Sequence, residues 1–555
     1  SDTIKQVFAK NIPIGEFLKI KAGMSTGDNK QFQRIWWEVS ISQISFNTFE
    51  IIETKDNQIR WYPCSSGGSF RKWFGNNESI VDWENNGMRI KQHKSSAVRN
   101  SSFYFKEGIT YSKISSGLFS ARIVKPGFLF DDTGRTGFTI KETPKEIILS
   151  FLCSKVSQNL LKILTPTLSF TTKEILNLPF LLNLKLTPPN LEKAVNSLIL
   201  LSRQDWDNFE TSWDFQKHPL VQLSINNYQL SINNSELLDK PLTIERAFQQ
   251  WEQQSETAFN QLKHLEEENN KHWIEAYGLQ DELTPEVPDD QITIRKADLS
   301  RDIRSLLSYA VGCMMGRYSL DRPGLIHAGQ PFDPSQHQTF PADSDGIIPI
   351  TDRPYFPDDI ITQLIQFLKT AYTPDTLPQN LEYIANALTR KANETPRDCI
   401  RRYFLTQFTS DHIKTYKKRP IYWLFTSGKK RAFNALVYLH RYQEDTLARL
   451  RTDYVLELQT KLDSEIQRTQ TDLGNATHTA SKKQLAKRLK DLQGQQLELR
   501  DYQAKLQHLA DQRIQLDLDD GVAYNYTRFK GLVYEGSDLK MKDLEKAAKW
   551  KIDLD

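Results

Sequence analysis

Residues 145–161, KEIILSFLCSKVSQNLL, separate two kinds of sequence. Apolar side chains stand at positions 147, 148, 151, 152, 156, 160 and 161, one face of a 3.6-residue repeat, so the spacing predicts an amphipathic helix. Before this point the chain reads as loops and strands. It holds 12 of the 24 glycines, all before residue 138, and five of the 11 tryptophans, all before residue 84. The aromatic-rich stretches 59–63 and 103–106 predict strands. Pro126-Gly127 and Gly134 to Gly137 predict turns. Upstream, residues 23–38, GMSTGDNKQFQRIWWE, predict a polar loop that Phe32 and the Trp36-Trp37 pair return to a core. The glycine spacing there matches neither the nucleotide P-loop nor the dinucleotide fingerprint.

After residue 161 helices dominate. Helical character continues over 191–202, and a long polar helix is expected over 241–282, with Ala247, Trp251, Phe259, Leu262 and Leu265 on its buried side. A Pro- and Asp-rich linker follows at 283–290. Residues 298–318 form a strongly apolar helix pattern, 321–358 read as an extended loop, and short helices are expected at 358–372, 378–390 and 396–408. Leu447, Leu450, Tyr454, Leu458, Leu462 and Ile466 keep a 3–4 spacing, Gly474-Asn475 breaks it, and Leu485, Leu489, Leu492, Leu499, Leu506 and Leu509 restart it. That pattern predicts an antiparallel coiled-coil hairpin with its tip near 473–481. The fold class is therefore α+β, a mixed first region followed by a mostly α-helical one.

The chain has 555 residues, room for three or four domains, and its 39% hydrophobic and 25% charged content is ordinary for a globular protein. No apolar run approaches the ~20 residues that span a bilayer, and the start shows no signal-peptide pattern. A start without Met suggests a trimmed or partial chain. Cys64, Cys153, Cys313 and Cys399 lie far apart without metal-ligand spacing, which points to reduced cysteines and a cytoplasmic location. The acidic pairs Asp289-Asp290 and Asp358-Asp359 lack the Glu-x-Lys partner of a nuclease site. Asp517, Asp519 and Asp520 alternate with apolar residues as solvated acids do, and His327, His337 and His412 lack metal spacing and suit surface or loop roles.

The positive signal is charge. The net charge is only +3, yet residues 55–141 carry 14 Lys/Arg against 7 Asp/Glu. A basic patch within a near-neutral chain points to a polyanion site; a solvated basic face is the alternative. Arg71 and Lys72 stand beside Trp73 and Phe74; Arg89, Lys91, Lys94 and Arg99 follow, then Lys113, Ser115 and Arg122. Lys and Arg neutralise phosphates, and Arg, Asn and Ser can read base edges. A second cluster comprises Lys414, Lys417, Lys418 and Arg419, then Lys429, Lys430 and Arg431; a solvated helix end is the alternative there.

Several segments together resemble one family. They are 73–77 (WFGNN), 82–87 (DWENNG), 104–117 (YFKEGITYSKISSG), 301–321 (RDIRSLLSYAVGCMMGRYSLD) and 518–526 (LDDGVAYNY). In order and over essentially the whole chain, they are similar to the C-terminal half of PglX, the adenine-specific DNA methyltransferases of BREX phage defence, related to type IIG-like enzymes. Residues 23–38 resemble the entry to their target recognition domain. The resemblance implies a DNA target recognition domain at 1–200, a helical spacer at 201–297, a helical domain at 298–440, the coiled-coil hairpin at 441–515 and a packing tail at 516–555. It implies N6-adenine methylation with S-adenosylmethionine in the full-length protein, double-stranded DNA and other BREX proteins as partners, and an acidic, DNA-mimicking phage inhibitor as a further one. Methyl transfer needs a glycine-rich cofactor turn and an Asn/Asp-Pro-Pro-aromatic motif. No Gly-x-Gly occurs, and the only Pro-Pro, at 188–189, lacks the flanking groups. The expectation is a chain that binds no cofactor and no metal and recognises duplex DNA for a catalytic domain elsewhere. A scaffold docking other BREX components and an RNA-binding protein remain the alternatives.

Overall fold

In a computed structural model of the chain, which describes residues 2–55, 58–114, 117–140, 142–165, 169–181, 190–233 and 242–553, the glycine- and tryptophan-rich start becomes two four-stranded sheets. Eight strands build them: β1 (Leu18–Lys21), β2 (Gln33–Ile35), β3 (Trp61–Ser65), β4 (Ser79–Asp82), β5 (Gly108–Ser112), β6 (Ala121–Val124), β7 (Leu129–Phe130) and β8 (Gly134–Thr139). One sheet has the order β1-β8-β5-β6 and is antiparallel throughout. The other has the order β2-β4-β3-β7, with β3 and β7 parallel.

Two local expectations change. Residues 134–137 lie in strand β8 and not in a turn. Their glycines serve close approach: a Cβ on Gly134 would lie 2.1 Å from the Ser65 carbonyl oxygen. Residues 103–106 form no strand, because Phe105 takes a left-handed φ of 65° that a ladder cannot use.

The deciding stretch is helical but not one helix. α1 (Lys145–Leu152) and α2 (Lys155–Leu164) meet at 64°. Ser154 makes the corner: its hydroxyl donates to the Phe151 carbonyl at 2.7 Å and accepts from the Ser157 amide at 3.2 Å, capping α2. Both helices bury their apolar face in a core with Phe170, Phe180, Leu198 and Trp273. Further on come α3 (Leu191–Asp207) and α4 (Ile244–Tyr277). Ring contacts tie α4 to α1: Phe151 lies 5.2 Å from Trp273 and 5.8 Å from Tyr277.

These elements, α4 from residue 252 onward, form a first compact unit, residues 1–36, 42–215 and 252–297; residues 37–41, 216–251 and 298–555 form a second. The units do not follow a linear division. Residues 252–297, expected as part of a spacer, carry Phe259, Leu262, Trp273 and Ile292 into the first unit's core. The Trp36-Trp37 pair divides too. The Trp36 indole donates to the Thr211 carbonyl in the first unit, and the Trp37 indole to the Arg419 carbonyl in the second.

In the second unit α5 (Leu299–Met314) starts where Asp298 accepts the Arg301 amide at 2.7 Å. Helices follow at Ile360–Ala371, Leu377–Ala387 and Pro396–Thr406, each within three residues of the expected bounds. The 321–358 stretch is irregular apart from a short helical turn and β9 (Ile347–Pro349). With β10 (Tyr422–Thr426) and β11 (Asn434–Tyr438) it makes a sheet of order β9-β11-β10.

α6 (Leu456–Asn475) runs through Gly474-Asn475 and α7 (Thr479–Ala510) follows, so the break falls at 476–478, within the predicted tip at 473–481. Asp463 pairs with Gln496 and Glu465 with Arg488, partners running in opposite order, so the two helices lie antiparallel. Their leucines do more than face each other. Leu458, Leu462, Leu499, Tyr502 and Leu506 share one core with Trp423, Phe425, Phe433 and Phe529. The base of this pair is embedded in the unit, whereas residues 470–484 are largely exposed.

Candidate nucleic-acid interface

The basic residues of 55–141 separate into an interior and an exterior set. The segment 71–74 joins the edge strand β6: the Trp73 amide donates to the Ala121 carbonyl at 3.0 Å and the Ile123 amide to the Trp73 carbonyl at 2.9 Å. This pairing turns its side chains inward. Arg71 is 7% exposed, Lys72 6%, Trp73 0% and Arg122 1%. Arg71 donates to Asp205 at 2.6 Å and lies over the Trp206 ring at 4.9 Å. The Lys72 ammonium pairs with Glu266, which also accepts the Trp73 indole N–H at 2.7 Å. Arg122 donates to the Arg71 and Gly67 carbonyls, and burial followed by the Arg71 charge lowers it to about 10.

These four residues are therefore a correction to the predicted set. Arg71 and Lys72 meet their counter-charges inside the first unit, and Trp73 and Arg122 are buried beside them, so none of the four presents its side chain to a phosphate. Losing one partner of such a buried pair typically costs about 3–5 kcal/mol, because the other charge is left desolvated.

The exterior set is different. Lys91, Lys94 and Arg99 are exposed and Arg89 is half-buried. They follow a left-handed turn at Asn85, Asn86 and Gly87. Arg89 donates to Asp82 at 2.6 Å and Arg60 to the same carboxylate at 3.0 Å. Lys91 lies over the Trp83 ring at 5.4 Å, and burial with the nearby Lys55 charge lowers its pKa. Lys94 and Arg99 have no ion-pair partner among the described residues. Lys113 is half-buried and held by Asp132 at 2.8 Å. Ser115 lies outside the described residues, as does the 188–189 Pro-Pro.

Sequence reasoning missed Lys21 and Lys106, which flank the Phe103 ring at 5.3 and 5.6 Å. Lys106 was visible as a cation three positions from an aromatic residue. Lys21 comes from β1, far away in sequence.

In the second unit Lys417 and Lys418 are exposed on a left-handed turn with φ of 50° and 61°. Arg419 is half-buried, 3.5 Å from Glu38. The other chemical candidates serve the fold. Asp359 caps its helix and grips Arg401 with both oxygens at 2.7 Å. Asp289 holds Lys263 at 2.7 Å, and Asp517 caps the Asp519 amide. Of His327, His337 and His412, expected at the surface or in loops, the first two lie in loop and the third in the helix Phe408–Thr415; all three are buried. The His412 Nε2 accepts the Ile421 and Tyr422 amides at 3.1 and 3.0 Å, and burial pushes its pKa down to about 3. No cluster able to hold a metal occurs among the described residues, the four cysteines are free and buried, and no single described helix is long and apolar enough to cross a membrane.

Over 522 residues, 92% of its length, the chain is 40% identical to the adenine-specific methyltransferase PglX of Lacticaseibacillus casei (strain Zhang). The chain is similar to adenine-specific methyltransferases. It is also 36% identical over 559 residues to the adenine-specific methyltransferase BrxX of Escherichia coli O9:H4 (strain HS). It covers 42% of the first relative and 44% of the second, so it spans less than half the length of either. No protein-family model matches it.

Proposed function

We propose that this chain recognises duplex DNA as part of a longer, site-specific adenine methyltransferase of BREX phage defence, with the first unit choosing the sequence. The observation that carries this is the 40% identity to a PglX methyltransferase across 92% of the chain. The cations that reach solvent support it: Lys91, Lys94 and Arg99, beside the half-buried Arg89. Together they can position a phosphate backbone while Arg99 and neighbouring polar side chains reach base edges. In the whole protein, adenine N6 would receive a methyl group from S-adenosylmethionine, bound by the part of the longer protein that this chain does not match. Other BREX proteins are its partners, and an acidic, DNA-mimicking phage inhibitor would compete for the same exposed cations.

The test is a salt titration of duplex binding with the chain and with the triple variant Lys91→Ala, Lys94→Ala, Arg99→Ala. Each lost phosphate contact should flatten the slope of log affinity against log salt by about 0.9. A slope that stays the same would overturn the assignment of this surface.

A further inference from the structure

Helix α7 carries Lys483, Lys487, Lys490 and Gly494 at intervals of four, three and four residues, which places them on one face. The loop between β10 and β11 continues that line. Glu498, one turn further along, accepts the Lys430 amide at 2.7 Å, the Ser427 hydroxyl at 2.8 Å and the Ala432 amide at 3.3 Å. This clamp fixes the loop against α7, and the Lys430 side chain crosses the helix at Gly494: a Cβ there would meet its Cε at 3.4 Å. Lys429, Lys430 and Arg431 are exposed on this loop. Two basic runs about 55 residues apart in sequence, the loop and the start of α7, thus form one track inside the second unit.

The track keeps a net positive charge, six cations against the Glu498 carboxylate on the same face. Lys429, Lys430, Arg431, Lys483, Lys487 and Lys490 have no ion-pair partner among the described residues. The acids of the stretch are Asp491, one position off the lysine face, and Glu498, which stays charged while its oxygens accept neutral donors of the loop. Arg488, by contrast, is held by Glu465 and Asp352 at 2.9 and 3.0 Å. Like charges four apart weaken a helix, so Lys483 and Lys487 cost the hairpin a little stability that a polyanion would offset. From position 483 to 494 the helix rises roughly 16 Å, about the axial length of five nucleotides at 3.4 Å each.

We infer that this track is a second, sequence-independent DNA contact, holding the phosphate backbone of duplex flanking the recognised site. It rests on the DNA-recognition reading above. Exposed lysines on a regular helix reach phosphates and carry no base-edge readout, so they supply affinity and salt dependence without sequence choice.

The experiment uses the full chain and a random-sequence duplex, titrated from about 50 to 200 mM salt, a range over which phosphate contacts govern affinity. Variants are Lys483→Gln, Lys487→Gln, Lys490→Gln as one triple, and Lys429→Gln, Lys430→Gln, Arg431→Gln as another. Each triple should flatten the log–log slope by roughly 2 to 3 units, and the two effects should add. Glu498→Ala should weaken binding less, by releasing the loop from its place. Preference for one duplex sequence over another should be unchanged by either triple. An unchanged slope in both triples, with the Lys91, Lys94, Arg99 variant still affected, overturns this inference alone. A loss of sequence preference in the α7 triple also overturns it. Failure of the unsubstituted chain to bind duplex at any salt overturns both readings.

Discussion

As sequence, Arg71-Lys72 of the first unit and Lys482-Lys483 of the second are both adjacent cations, the first pair between aromatic residues and the second among polar ones. Their surroundings are opposite. Lys72 is 6% exposed and locked to Glu266, which also holds the Trp73 indole; Lys483 is exposed on a helix. A run of basic residues records a local excess of charge and nothing about where the counter-charge lies. For Arg71 and Lys72 the counter-charges are Asp205 and Glu266, 134 and 194 residues away. For Lys483, Lys487 and Lys490 there is no ion-pair partner among the described residues.

The comparison breaks most sharply at Lys72. Lys72→Ala should lower the stability of the first unit by about 3–5 kcal/mol, because the Glu266 carboxylate would stay buried without its cation. Chemical denaturation with hydrogen exchange to resolve that unit is the measurement. A loss below ~1 kcal/mol, typical of surface ion pairs, would put Lys72 in the same class as Lys483.

The next effect is on acid stability. The folded state holds His412 neutral, with a pKa of about 3 against 6.5 for the free side chain. Below 6.5 the unfolded chain takes up a proton that the folded chain refuses, so stability falls as the pH drops from 6.5 towards 3. At pH 5 the loss from this group reaches about 2 kcal/mol. Unfolding midpoints at pH 7 and pH 5 measure it, and His412→Gln should reduce the pH slope. Equal midpoints would mean that protonation is tolerated and that His412 is not confined as the two amides imply.

On the exposed side the effects are small. Lys94→Ala and Arg99→Ala should change stability by no more than about 0.5 kcal/mol while altering DNA binding. A larger loss would show a buried role like that of Arg71. Smallest of all, Lys487→Ala should stabilise α7 by a few tenths of a kcal/mol, by relieving repulsion from Lys483 and raising helix propensity. Thermal unfolding of the two proteins compares them directly, and a destabilised variant would show that Lys487 has a partner.

Much of the helical half was legible because its signals are local. The apolar period marks the helix from 298, Gly474-Asn475 marks the break, and the short helices between 358 and 408 follow their apolar period. The corner between α1 and α2 was hidden because Ser154 turns its hydroxyl to the backbone, whereas the apolar period runs through it unbroken. Gly134 to Gly137 read as turns because glycine marks both turns and crowded strands, and only the neighbouring Ser65 carbonyl distinguishes them. Of the basic stretch 55–141, Lys91, Lys94 and Arg99 are exposed, whereas Arg71, Lys72, Trp73 and Arg122 are buried, a division that no local pattern in the sequence marks.

By itself the sequence determined the periodicities, the breaks and the local charge excess, all of which act over a few residues through backbone geometry and side-chain type. Only the tertiary structure decided which cations meet water. For Arg71 and Lys72 that choice rests on the distant carboxylates of Asp205 and Glu266 packed against them, because an unpaired charge is costly to bury; Arg122 is buried on carbonyl oxygens alone, and its pKa falls. The same dependence brought Lys430 onto α7: Glu498 holds three groups of the loop between β10 and β11, and nothing within either segment alone specifies that they meet.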